Sequence, residues 1–153
     1  MKINLGQLAI SSPAFEHATR MPERLSVQGA PSPELVWTDV PDGTKSFAIV
    51  CHDPDAPLVD GFTHWVVYGI PATCTRLVEG ATGPFTGGLN ELGSADYMPP
   101  GPPPGHGDHF YYFHLYALST EGPQPSGLDR TQLLREIDAD IIEQARIVGV
   151  WSN

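Results

Sequence analysis

The sequence predicts a mainly β fold built as one domain. Segments of strand character recur along the chain between Pro, Gly and Asp. A single window has helical periodicity, and 153 residues without an internal repeat or a dividing linker fit one hydrophobic core. Strands are expected at residues 34–38, 46–52, 63–70, 109–118 and 145–151, where β-branched, aromatic and aliphatic residues run between turn formers. The helix is expected over 129–144. Asp129 can cap it, and Leu133, Leu134, Ile137, Ile141 and Ile142 recur with a period near 3.6; the run Asp138 to Asp140 is where it can divide in two. Residues 98–107 (MPPGPPPGHG) hold too much Pro and Gly for regular structure and form a loop.

Composition removes several function classes. Lys and Arg total 8 against 18 Asp and Glu, a formal net charge of −10, which is the opposite of the basic footprint that nucleic acid requires. Nothing approaches the roughly 18 apolar residues of a membrane span, so stable insertion is not expected. The first ten residues carry no apolar run of a leader, and a cytoplasmic location is expected. Cys51 and Cys74 have no redox or zinc spacing and are expected as buried free thiols.

Six histidines in an acidic chain are the chemical resource to sort. His52 precedes Asp53-Pro54-Asp55-Ala56-Pro57, His64 opens a strand with Trp65, and His106 and His109 flank Asp108 at the end of the proline-rich loop. No His-Glu-x-x-His exists, so no metal or other cofactor is expected. There is no Gly-x-Ser-x-Gly elbow, and Cys51 and His52 point to opposite faces of their strand. Nucleotide-binding glycine motifs are likewise missing. What remains is a small anion site. Alternation in the strand His109-Phe110-Tyr111-Tyr112-Phe113-His114 places His109 and Tyr111 on one face. His64, His109 and Tyr111 can donate hydrogen bonds, and Gly101, Gly105 and Gly107 let backbone N–H groups approach. Asp53 would orient a histidine rather than touch the anion.

At these residues the chain resembles the phosphatidylethanolamine-binding protein family, also called the Raf-kinase-inhibitor family, in its short bacterial and archaeal form. Asp53-Pro54-Asp55-Ala56-Pro57 with His64-Trp65 resembles one family signature. Gly101-Pro102-Pro103-Pro104-Gly105 leading to His109-Phe110-Tyr111 resembles the second, and Asn90-Glu91-Leu92-Gly93 resembles a family turn. The likeness spans nearly the whole chain. It implies a β-sandwich of two antiparallel sheets in Greek-key arrangement with a few short helices, over one domain of residues 1–153. It implies a pocket of Asp53, His64, His109 and Tyr111 walled by Gly101 and Pro102, with Asp55, Pro57, Phe62, Trp65 and Gly105 at the rim or in support. It also implies a possible homodimer. Phe110 stands where the family usually has Arg, so Asp55 is expected to bond backbone N–H groups in place of an ion pair. Phe62 stands where Trp is common and should keep the rim apolar. The long C-terminal extension of eukaryotic members has no counterpart, so kinase regulation does not transfer.

The expected function is non-enzymatic and regulatory: binding of phosphate or a phosphorylated head group. Two alternatives use the same pocket, an enzyme with a His/Asp acid–base pair and a protease or kinase inhibitor that meets a protein partner through the rim.

Overall fold

The computed structural model describes residues 4–153, and its elements follow the predicted strands closely. In chain order they are β1 (Ala9–Ser11), β2 (Thr19–Arg20), a 3-10 turn (Glu23–Leu25), β3 (Leu35–Thr38), β4 (Ser46–Asp53), β5 (Phe62–Pro71), β6 (Arg76–Leu77), β7 (Thr86–Gly87), β8 (His109–Leu118), α1 (Arg130–Ile137), a 3-10 turn (Asp138–Asp140) and β9 (Ile141–Trp151). β1, β3 and β6 form a small sheet, and the large sheet runs β2-β9-β8-β4-β5-β7. Pairing is antiparallel except for β2, which lies parallel to β9.

β4 is the centre of the molecule. All eight of its residues are buried, because both faces of the large sheet are covered. Phe47, Ile49 and Cys51 pack between the sheets with Leu35, Trp37 and Phe113, while Ala48 and Val50 pack on the other face against Leu133 and Ile137 of α1. Burial on both faces is why this strand reads as a continuous apolar run and not as an alternation. The edge strands are two or three residues long, which limits the backbone they leave unpaired.

The helix begins as its sequence dictates. Asp129 accepts a hydrogen bond from the Gln132 N–H, and the Gln132 side chain accepts one from the Asp129 N–H, a reciprocal capping box. It ends earlier than expected. Ile141 and Ile142 continue its 3.6 period, yet the chain leaves the helix at Ile137 and enters β9, which pairs with β8 along nearly its full length. Pairing with a ten-residue partner strand outweighs continuing the helix, and Ile141 still buries beside Leu133 and Ile137 from its strand position. Cys51 is buried as expected; Cys74 is only partly buried, its thiol donating to the Arg76 carbonyl, and both are free.

Candidate functional site

The site forms where three strands of the large sheet meet two loops. Asp53 ends β4 and keeps the inward side of Cys51, while His109 and Tyr111 open the neighbouring β8 on the same side. His64 reaches this side by an irregularity. The β4–β5 register steps from Cys51 opposite Trp65 to His52 opposite Thr63, which leaves His64 as an extra residue on β5. Such a bulge re-aims a side chain. Trp65 therefore enters the core against Phe85 and Tyr97, and His64 turns the same way, its ring 5.2 Å from that of Tyr111 and 4.8 Å from that of Phe62. The Glu91 side chain and backbone fasten the bulge by bonding the Thr63 N–H and carbonyl.

Every polar group at the floor is oriented. Asp53 is 2 % exposed, and it divides its oxygens: Oδ1 accepts from the Asp55 N–H at 2.7 Å, and Oδ2 accepts from His109 Nδ1 at 2.7 Å. His64 Nδ1 donates to the Met98 carbonyl at 2.7 Å. Both neutral rings thus carry their proton on Nδ1, leaving Nε2 a bare acceptor. Either imidazole becomes a second donor only by taking up a proton. The Tyr111 hydroxyl is buried and has no hydrogen-bond partner of ordinary geometry among the described residues. Burial and then the Asp53 carboxylate push its pKa up, with the Gly101 N–H drawing it slightly back, so it stays a protonated donor. Burial lowers the pKa of His64, partly offset by the Met98 carbonyl and Asp53.

Above the floor lies a cavity of about 380 Å³. Asp53, His64, His109, Tyr111, Gly101, Pro102, Pro57 and Phe62 line it, joined by Leu58, Leu92, Met98 and Pro99. Strands supply the polar floor, and loops supply an apolar collar. Asp55, Trp65 and Gly105 lie outside the lining. Asp55 accepts a hydrogen bond from the Phe110 N–H at 2.9 Å and so ties its turn to the start of β8. The ion pair that an Arg at residue 110 would offer is replaced by a backbone bond. Gly105 donates its N–H to the Asn153 carbonyl, and the Asn153 amide donates to the Pro102 carbonyl, so the last residue anchors the proline-rich wall.

His106 has no role assigned from the sequence, and neither Leu58 nor Leu92, the latter read there only as part of the Asn90–Gly93 turn, is expected in the pocket. His106 Nδ1 stands 2.6 Å from His109 Nε2, the one side chain-to-side chain hydrogen bond between the wall loop and the floor among the described residues. Its one sequence signal was its place three residues before His109. Leu92 is carried into the collar by Asn90, whose side-chain oxygen accepts from the N–H groups of Leu92 and Ser94.

The sequence profile of phosphatidylethanolamine-binding protein matches residues 11–152. The chain belongs to this family. A UPF0098 protein of Aquifex aeolicus is 37 % identical over 153 residues, covering 95 % of this chain and 89 % of the relative. Among solved structures, a putative phosphatidylethanolamine-binding protein homolog from Chlamydia trachomatis superposes with a TM-score of 0.90 at 35 % identity, covering 98 % of this chain and 99 % of the other. YbcL of Escherichia coli, described as a member of the mammalian PEBP family, gives 0.88 at 30 % identity and covers 97 % and 99 %. Both signatures of this PEBP-family chain contribute to the cavity just described, Asp53, Pro57 and His64 from the first and Gly101, Pro102, His109 and Tyr111 from the second.

Proposed function

We propose that this PEBP-family chain is a non-enzymatic binding protein whose cavity takes phosphate or a phosphorylated head group. The observation that carries this reading is the Tyr111 hydroxyl, a buried donor with no acceptor among the described residues, standing beside two imidazoles over a buried Asp53. An anion oxygen would supply the missing acceptor, and leaving such a donor unmatched costs roughly 1–3 kcal/mol. Because the Nδ1 positions of His64 and His109 are committed, an anion gains donors from them only with a proton, or supplies its own hydroxyl to a bare Nε2. Affinity for phosphate is therefore expected to rise as pH falls from 8 to 6, up to about tenfold per pH unit for each proton taken up.

Calorimetric titration with inorganic phosphate tests the assignment. Tyr111→Phe and His109→Ala should each weaken binding about tenfold or more, the loss of a hydrogen bond to a charged group. Equal affinity in wild type and both variants would place the anion elsewhere. Acid–base catalysis is favoured by one feature, the Asp53–His109 pair, which has the geometry of an oriented base. Recovery of a phosphomonoester unchanged after stoichiometric binding supports the binding protein; turnover lost in His109→Ala supports the enzyme.

A further inference from the structure

His106 belongs to a loop that is fixed at one end and free around the residue itself. Asn153 holds Pro102 and Gly105 by two hydrogen bonds. His106 follows between Gly105 at φ +74° and Gly107 at φ +86°, left-handed positions suited to glycine, and a Cβ at either would meet no atom within 4 Å. His106 is solvent-exposed; among the described residues its N–H bonds the Pro103 carbonyl of its own loop and its ring bonds only His109. The imidazole can therefore swing about two permissive hinges without moving the anchored wall.

Its present position has a chemical meaning. Since Asp53 holds the Nδ1 proton of His109, the bond between the two rings in their neutral form runs from His106 Nδ1–H to His109 Nε2. That nitrogen is the one His109 would offer an anion.

We propose that His106 is the site's built-in competitor: it satisfies His109 Nε2 until an anion takes that nitrogen, and then swings away. The proposal rests on the anion reading of the same cavity. Proton uptake then decides the competition, because His109 must carry a second proton to donate to the anion, and that proton reverses the ring contact, leaving neutral His106 only an Nδ1 lone pair to offer against a charged anion oxygen, the stronger acceptor. The titratable groups around the pair are Asp53, bonded to His109, Asp55, bonded to the N–H of the next residue, and His64 and Tyr111, which line the same cavity, with Asp108 between the two histidines in sequence. None of these is a cation at pH 8 apart from any proton the rings take up, so His106 is the built-in competitor there.

The test is a phosphate titration of wild type and His106→Ala at pH 8 and pH 6, read by calorimetry and by the ring ¹⁵N signals of His106 and His109. At pH 8 His106→Ala should bind phosphate about fivefold tighter, the factor that one net hydrogen bond represents. That gap should close at pH 6. In wild type, phosphate should move the His106 ring signals to those of a free histidine. Equal affinities at pH 8, or His106 ring signals already free before phosphate is added, would overturn the gate and leave the anion site standing. If phosphate binds neither protein and shifts no ring at either pH, the anion reading falls and the gate with it.

Discussion

His114 shows how one half-buried ring ties this protein's stability to acidity. It lies on the outer face of β8 between Tyr112 and Tyr116, with ring centroids 5.8 and 6.2 Å away. Burial, then Arg146, Arg130 and His52, lower its pKa to about 4. The folded state therefore keeps it neutral where the unfolded chain, at about 6.5, binds a proton. Stability from this residue is complete above about pH 6.5 and is lost as pH falls toward 4, roughly 3 kcal/mol over the window. His52 and His64, also lowered chiefly by burial, add losses of the same sign. Urea unfolding midpoints at pH 7 and pH 5 are expected to converge in His114→Gln relative to wild type. An unchanged acid-side slope would show that His114 is not the residue responsible. The pairing of His109 with Tyr111 was legible at this scale because β8 is regular and period two is dependable. That Asp55 turns to a backbone N–H was legible from Phe110. The proton positions on His64 and His109 were not, since they depend on Met98 and Asp53 across the fold.

At the scale of elements, a bulge decided what alternation could not. Strict alternation along β5 would put His64 opposite Trp65, and only the register step from Cys51 to His52 brings both to the inner side. No local pattern announces such a step; it follows from the partner strand and from Glu91 holding Thr63. The early end of α1 has the same origin. Ile141 and Ile142 suit a helix face and a strand equally, and the waiting edge of β8 chooses. Because α1 covers the face of the sheet away from the cavity, its stability and the site's binding should separate. Asp129→Ala removes the cap and should cost about 1 kcal/mol in chemical denaturation. Phosphate affinity should stay within twofold of wild type. A parallel loss of affinity would mean that the helix positions the floor through β4.

For the whole molecule, charge and pocket point in different directions. A net charge of −10 repels anionic surfaces, so under the proposed reading any affinity of the cavity for an anion comes from directed bonds at short range. Vesicles of phosphatidylserine are expected to float free of the protein in low salt even where inorganic phosphate binds. Co-flotation that salt abolishes would reveal a basic surface able to overcome the net charge. No helix among the described residues is long and apolar enough to cross a membrane.

The separation of floor from collar has a consequence for how such a protein can change. The proton-bearing groups sit on strand ends locked into an interior that resists substitution, whereas Leu58, Leu92 and the prolines stand on loops whose replacement leaves that interior alone. Under the proposed reading, grafting the segments 54–61 and 98–107 from another member of the family should retune which molecular body is accepted while the polar floor keeps its chemistry. The fold is in this sense a socket with interchangeable adapters.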